Sequence, residues 1–313
     1  MNKFALIGAA GYIAPRHMRA IKEVQGELVA AFDPADSVGA MDSYFPDASF
    51  FTEFERFDRH IDVLSRSGNG VDYMCVCSPN YLHDAHSRFG LRSGADVICE
   101  KPLVLNPWNL DGLQEMEQHT GRTLYTILQL RLHPAIMALK QRIDAAPIDK
   151  IFEVDLTYIT SRGAWYYVSW KGNEAKSGGI ATNIGVHFYD MLSFVFGELQ
   201  CNNVHVREPS HAAGYLEFKR ARVRWFLSVD RNDLPTQTPD GQTTYRSITV
   251  DGDEVEFSGG FTDLHTRSYQ DILNGGGFGI DQVRPSIELV SSIRSKALEP
   301  QKGDMHSFVI ERN

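Results

Sequence analysis

The sequence predicts an α/β protein: a doubly wound parallel sheet, then an α+β domain with a mainly antiparallel sheet. Three observations carry this. Up to about residue 130, short apolar runs alternate with helical patterns. A glycine-bearing turn joins the first run to the first helix. Beyond that point, extended runs follow one another with fewer helices between them. Strands buried on both faces read as continuous apolar runs, and βαβ alternation makes a parallel sheet, whereas successive strands pair antiparallel.

In order, strands are expected at Phe4–Ile7, Leu28–Phe32, Tyr73–Cys77, Asp96–Cys99 and Leu124–Leu128, with helices at Arg16–Glu23, Tyr81–Arg92 and Leu110–His119 between them. The second half offers strands at Phe152–Ile159, Asn203–Arg207, Tyr215–Phe218, Val223–Val229 and Arg246–Val250. Helices are expected near Thr182–Phe196 and Asp281–Lys296. "VDGDEVEF", Val250 to Phe257, reads as a hairpin turning at Asp251-Gly252. "LNGGGFGID", Leu273 to Asp281, follows a helix and not a strand, so it reads as a cap.

The chain has 313 residues, enough for two domains, expected at 1–130 and 131–313. No apolar run approaches the roughly 18 residues of a membrane span, and no secretory signal is visible. A cytoplasmic location without membrane partners is expected. The net charge of −9 argues against nucleic acid, which wants a basic footprint. Of the four cysteines, Cys75, Cys77 and Cys99 fall in apolar runs, and Cys75-x-Cys77 is too tight for usual zinc spacings. His83-x-x-His86 lacks a third ligand, so no metal is expected.

"ALIGAAGYIAPRH", Ala5 to His17, holds Gly8, Gly11 and Ala14 at intervals of three, not the familiar G-x-G-x-x-G spacing. It lies between a strand and a helix, where unpaired N–H groups and the helix dipole attract phosphate. Glycines admit close backbone approach, and Ala14 lets the helix pack on the sheet. The same residues also suit a tight turn of purely structural use. Asp33, 25 residues after Gly8 at the end of the second strand, can bind ribose hydroxyls and repel a 2′-phosphate, favouring NAD; alternatively Asp33-Pro34 opens a turn. Ser78-Pro79-Asn80 and Glu100-Lys101-Pro102 leave two further strand ends, where ligands gather in open parallel sheets. Composition alone leaves Lys101 open between a substrate ligand and a surface cation.

With Glu100-Lys101-Pro102 and "NIGVH", Asn183 to His187, the chain resembles the glucose-fructose oxidoreductase/inositol dehydrogenase/rhizopine catabolism (Gfo/Idh/MocA) family over its whole length. The resemblance implies an N-terminal Rossmann domain, an open-faced sheet domain after it, and an active site between the two. The "GAAGYIAPRH" loop and the stretches Thr157–Gly172, Ser177–Leu192, Ala221–Pro235 and Tyr245–Tyr269 resemble one subgroup, the bacterial UDP-N-acetyl-2-amino-2-deoxy-D-glucuronate 3-dehydrogenases. That subgroup oxidises the sugar C3 hydroxyl to a ketone, which an aminotransferase then uses on the way to lipopolysaccharide O-antigen. Some members reduce 2-oxoglutarate to regenerate NAD, and tetramers are implied. The family often has Asp where this chain has Asn183, which can orient a hydroxyl but carries no charge. A free-sugar or inositol dehydrogenase, or a non-catalytic NAD-binding regulator, are the competing readings.

By this resemblance NAD is expected against Gly8, Ala10, Gly11, Tyr12, Ile13, Asp33, Ser78, Pro79, Asn80, His83, Glu100, Lys101, Gln129 and Trp170. Alcohol oxidation needs a proton acceptor and a cation near the developing alkoxide. His187 is the favoured acceptor, with Lys101 on the hydroxyl, and the two roles can be exchanged. Asn183 and His187, four apart, share one helix face; the lesser alternative, disfavoured by the paired Lys101 motif, is that His187 is a core histidine. "RGAWYYVSWKG", Arg162 to Gly172, offers aromatic faces and cations suited to a nucleotide sugar acid, or to a subunit interface. The expected substrate ligands are Lys101, Arg131, Tyr158, Arg162, Trp165, Tyr166, Ser169, Lys171, Asn183, His187 and Arg224, with Arg16 open between surface charge and diphosphate contact.

Overall fold

The computed structural model describes residues 1–239, 241–256, 259, 263–300 and 302–310. The elements run β1 (Lys3–Ile7), α1 (Ala14–Glu23), β2 (Glu27–Phe32), α2 (Ala40–Tyr44), β3 (Ser49–Phe51), α3 (Phe54–Arg66), β4 (Tyr73–Val76), α4 (His83–Arg92), β5 (Asp96–Cys99), α5 (Pro107–Thr120) and β6 (Leu124–Thr126). Next come α6 (Pro134–Ala145), β7 (Phe152–Thr160), α7 (Trp165–Val168), α8 (Glu174–Ser177), α9 (Val186–Phe196), β8 (Leu199–Arg207), β9 (His211–Phe218) and β10 (Ala221–Ser228). The chain closes with β11 (Thr244–Val250), β12 (Asp253–Glu254), α10 (Leu264–Leu273), α11 (Ile280–Ser295) and α12 (Ser307–Ile310). Among the described residues, no helix is long and apolar enough to cross a membrane.

Two units emerge: Met1–Gln129 with Phe261–Arg284, and Leu130–Gly260 with Pro285–Asn313. The sequence-based division ran the second domain unbroken from 131 to the end. Instead α10 returns to the first unit, where Tyr269 and Ile272 join the core formed by Phe4, Met18, Ile21 and Cys75. Each such fully buried Phe, Met or Ile contributes about 1.5–3 kcal/mol over leaving it exposed.

In the first unit a six-stranded parallel sheet runs β3-β2-β1-β4-β5-β6, the order of a dinucleotide-binding fold. The sequence reading missed β3, a three-residue edge strand with every residue half-buried, and so counted five strands. Helix α1 turns His17, Met18 and Ile21 inward, while Arg16 is exposed. The glycine-rich stretch after α10 caps it: Gly276 N–H donates to the Asp271 carbonyl and Gly277 N–H to Asp271 Oδ2.

In the second unit a six-stranded sheet runs β12-β11-β7-β10-β9-β8. It is mixed, because β7 and β10 pair in parallel while the other neighbours are antiparallel. The hairpin turns at Asp251-Gly252, with Val250 opposite Asp253; Phe257, the last residue expected in it, lies outside the described residues. Helix α9 rests on β10 through Gly185, where a Cβ would sit 2.6 Å from Leu227 Cδ1 and from the Tyr189 ring. The sequence reading also missed α6, which begins at Pro134 and buries Ile136, Leu139 and Ile143.

Candidate functional site

The loop between β1 and α1 is shaped for a phosphate. Gly8 has φ +96°, and a Cβ there would lie 2.6 Å from the Cys77 carbonyl carbon and the Ser78 nitrogen. Only glycine lets this loop lie so close to the end of β4. Pro15 opens α1, and Ile13 at its N-cap makes no side-chain hydrogen bond. Among the described residues the N–H groups of Tyr12 and Ile13 have no hydrogen-bond partner. These are the orphan donors that a helix N-terminus offers an anion. Asp33 is engaged with the same loop: Ala10 N–H donates to its Oδ2 (3.0 Å) and Ala35 N–H to its Oδ1 (2.9 Å). Its remaining lone pairs can accept two ribose hydroxyls. Gln129 Oε1 is buried without a partner among the described residues. Orphan N–H groups, a glycine cradle and an acceptor at a strand end fit a dinucleotide.

The other strand ends are more closed than expected. Ser78 turns its hydroxyl to His86 Nδ1 (2.8 Å), and Asn80 is buried. His83, expected at the cofactor, is 1% exposed and spans two backbone carbonyls, Pro102 O through Nδ1 and Ser78 O through Nε2, both at 2.7 Å. Carbonyls only accept, so both bonds form together only when both ring nitrogens carry protons. Burial lowers the His83 pKa, and the two carbonyls act against it. His83 thus lies buried between two turns, with a backbone carbonyl beside each ring nitrogen. His86 is pulled down to about 4 by burial, then by His83.

Glu100 is likewise enclosed. Its side chain is 7% exposed and faces the interior. Oε1 lies 3.1 Å from His17 Nε2 and 2.8 Å from His265 Nε2, and Lys101 N–H donates to Oε2 (3.2 Å). Burial would push this carboxyl up, but the bonds from His17 and His265 hold it well below the usual range. Both oxygens are thus engaged inside the first unit. Sequence reasoning missed His17, His265 and Tyr269. The available signal was "LHTRSY", which sets a histidine and a tyrosine four apart on one helix face. Lys101 itself is half-buried.

In the second unit, Asn183 and His187 are half-buried in a stretch whose neighbours Ala181, Thr182, Ile184, Val186 and Phe188 are buried. Residues Ala181–Gly185 form a π-turn leading into α9, a distortion frequent at functional sites. Asn183 Nδ2 donates to Tyr166 Oη (3.4 Å), which joins this turn to the aromatic stretch. Tyr166 is buried, while Trp165 is 50% exposed. Lys171 Nζ stands 5.2 Å from the Trp165 ring and 5.3 Å from Trp170. Burial and the charge of Arg162 lower its pKa. Ser169 is spent locally, donating to the Tyr166 carbonyl and accepting from Lys171 N–H. Tyr158 packs on Phe188 at 4.8 Å.

The expected cations divide. Arg131 is buried in a bidentate pair with Asp190, at 2.9 and 2.7 Å. Arg224 is held by Asp155 through two bonds, and by Glu153 and Asp304. Both thus carry carboxylate partners of their own within the second unit. Among the described residues no carboxylate pairs with Arg162 or Lys171.

Comparison with known proteins agrees with this division into a cofactor unit and a second α/β unit. Residues 2–127 match the model of an oxidoreductase family with an NAD-binding Rossmann fold, and residues 140–231 match its C-terminal alpha/beta domain. The WlbA (WbpB) dehydrogenase of Thermus thermophilus, solved with NAD and alpha-ketoglutarate, is 52% identical, with a TM-score of 0.93 over 96% of this chain and 97% of that one. The same dehydrogenase with NAD and UDP-GlcNAcA is 51% identical, with a TM-score of 0.94 over 98% and 100% of the two chains. Inositol 2-dehydrogenase of Rhizobium meliloti (strain 1021) is 28% identical over 63% of this chain, a match that spans only 55% of that protein's length. With the two family models covering more than half of its length, the chain belongs to the Gfo/Idh/MocA oxidoreductase family.

Proposed function

We propose that this protein is an NAD-dependent dehydrogenase that oxidises the C3 hydroxyl of UDP-N-acetyl-2-amino-2-deoxy-D-glucuronate (UDP-GlcNAcA) to the 3-keto sugar. The observation that carries the reading is full-length likeness, at 51% identity, to a dehydrogenase captured with NAD and UDP-GlcNAcA. Bound NAD supplies the hydride acceptor. Gly8, Gly11, Tyr12 and Ile13 would hold its diphosphate, Asp33 its adenosine ribose, and Gln129 its nicotinamide end. Lys101 holds the reacting hydroxyl oxygen and offsets its developing negative charge. Asn183 orients that hydroxyl, and His187 takes its proton. Arg162 and Lys171 meet the diphosphate and carboxylate of the substrate, with Trp165 and Tyr166 beside them.

The likeness to a structure holding alpha-ketoglutarate supports regeneration of NAD by that keto acid. On this reading the keto sugar passes to an aminotransferase in O-antigen assembly, and the enzyme works in the cytoplasm as a homotetramer. The test is a substrate panel: UDP-GlcNAcA, UDP-glucuronate, glucose and inositol, each offered with NAD and 2-oxoglutarate. Turnover of the nucleotide sugar acid is expected. Turnover confined to free sugars, or cofactor binding without any turnover, would replace this reading with one of its two competitors. Lys101→Ala and His187→Ala should each lower kcat at least about 100-fold, the scale of acid–base catalysis.

A further inference from the structure

The Glu100-Lys101-Pro102 turn is gripped on both sides of its lysine. Before it, Glu100 Oε1 takes His17 Nε2 and His265 Nε2, and Glu100 Oε2 takes the Lys101 N–H. After it, the Pro102 carbonyl takes His83 Nδ1. The grip extends inward: His17 Nδ1 lies 2.7 Å from Tyr269 Oη, which lies 3.0 Å from Cys75 Sγ. A carboxylate only accepts, so both Nε2 atoms that face Glu100 carry protons. Burial keeps His17 below its ordinary pKa, and neutral His17 then accepts the Tyr269 hydroxyl proton at Nδ1. The Cys75 thiol, pushed up to about 12 by burial, stays protonated beside the phenol oxygen. One arrangement of protons thus satisfies His17 and the Glu100 oxygen it faces.

Two plainer accounts fit less well. His17, Glu100 and His265 have ligand atoms within 4.8 Å of one another, as a metal would need. Yet all three are buried, and both Nε2 atoms point at the same oxygen, so a proton in each gap already completes the contacts. The second account is bulk stability. Burying an ionised carboxylate carries a large desolvation cost, and an apolar side chain would fill the space without it. What the carboxylate adds is direction, since its second oxygen fixes the amide of the adjacent residue. For a group that must meet a reacting atom, a displacement of about 1 Å can cost about 100-fold in rate.

We propose that His17 and His265 are positioning residues for Lys101: they hold Glu100, Glu100 holds the Lys101 amide, and His83 holds the far side of the same turn. This rests on the reading that Lys101 acts at the reacting hydroxyl. It gives a use to His17 and His265, two residues of the subgroup-like stretches to which the proposed function assigns no role.

The test is a double-mutant cycle in the full-length protein, with amide hydrogen exchange at Lys101 alongside. His17→Phe should lower kcat at least about tenfold while leaving KM for UDP-GlcNAcA and the affinity for NAD within about twofold. His17→Gln, whose amide can still donate to Glu100, should recover most of the rate. In a Lys101→Ala background, His17→Phe should cost less than about twofold more, because its effect runs through Lys101. An equal cost in both backgrounds would overturn the proposal. Exchange at the Lys101 amide needs no turnover, and it should be at least about tenfold faster in His17→Phe; an unchanged rate would also overturn it. If the native protein oxidises no nucleotide sugar, the functional reading fails while exchange still decides the grip. Should His17→Phe not fold, His265→Gln carries the same cycle, with the same loss expected.

Discussion

Two pairs of cations in the second unit look alike in sequence and differ in the folded chain. Arg131 and Arg224 come with their own anions: Asp190 buried against the first, and Asp155, Glu153 and Asp304 around the second. Arg162 and Lys171 stand among Trp165, Tyr166 and Trp170 with no carboxylate partner among the described residues. In a chain of net charge −9, an anionic substrate needs cations whose charge is not already spent. The difference is between cations neutralised inside the fold and the cations proposed to meet the substrate.

The largest effect is expected at Arg131. Arg131→Ala would leave Asp190, 2% exposed, buried without its cation, a loss of about 3–5 kcal/mol on the scale of broken buried pairs. Denaturant titration should find this, and a protein of native stability but raised KM would place Arg131 with the substrate ligands instead. Next in size, Lys171→Ala and Arg162→Ala should each raise KM for UDP-GlcNAcA about tenfold or more, on the scale of a charge-assisted hydrogen bond. Their unfolding midpoints should barely move. Smallest is Arg224→Ala: its partners are partly exposed, so a loss of about 1 kcal/mol or less and an unchanged KM are expected.

Acid sharpens the same contrast between structural and available groups. His86 and His306 are pulled down to about 4, each first by burial, from about 6.5 for a free imidazole. Their folded pKa is depressed, so the stability they contribute is present above about pH 6.5 and lost as pH falls toward 4. Each group adds a slope of up to about 1.4 kcal/mol per pH unit across that window. Unfolding titrations at several pH values should find the slope, and His86→Gln should reduce it. A flat profile between pH 6.5 and 4 would contradict this.

Much of the fold was legible because buried parallel strands announce themselves as unbroken apolar runs, as in Phe4–Ile7 and Tyr73–Val76. Ser49–Phe51 did not, being short, half-buried and at the sheet edge. The return of α10 to the first unit was invisible, since no local pattern says which core a helix joins. The residues proposed for the site stand out where they are contiguous or closely spaced: the Gly8–Ile13 loop, Glu100-Lys101-Pro102, and Asn183 with His187. Contacts between residues distant in the chain do not. Arg131 meets Asp190 59 residues on, and Glu100 meets His265 165 residues on. Hence the internal partners of Arg131, Arg224, His83 and Glu100 have no signature in the local sequence.

The proposed reaction is hydride removal from C3 of a UDP-linked sugar acid. Its most direct test is isotope transfer: UDP-GlcNAcA carrying deuterium at C3 is incubated with the protein, NAD and 2-oxoglutarate, and the products are read by mass spectrometry. Deuterium should leave the sugar and appear in NADH, and then in 2-hydroxyglutarate. Deuterium retained at C3 in a protein that still binds NAD would contradict the account.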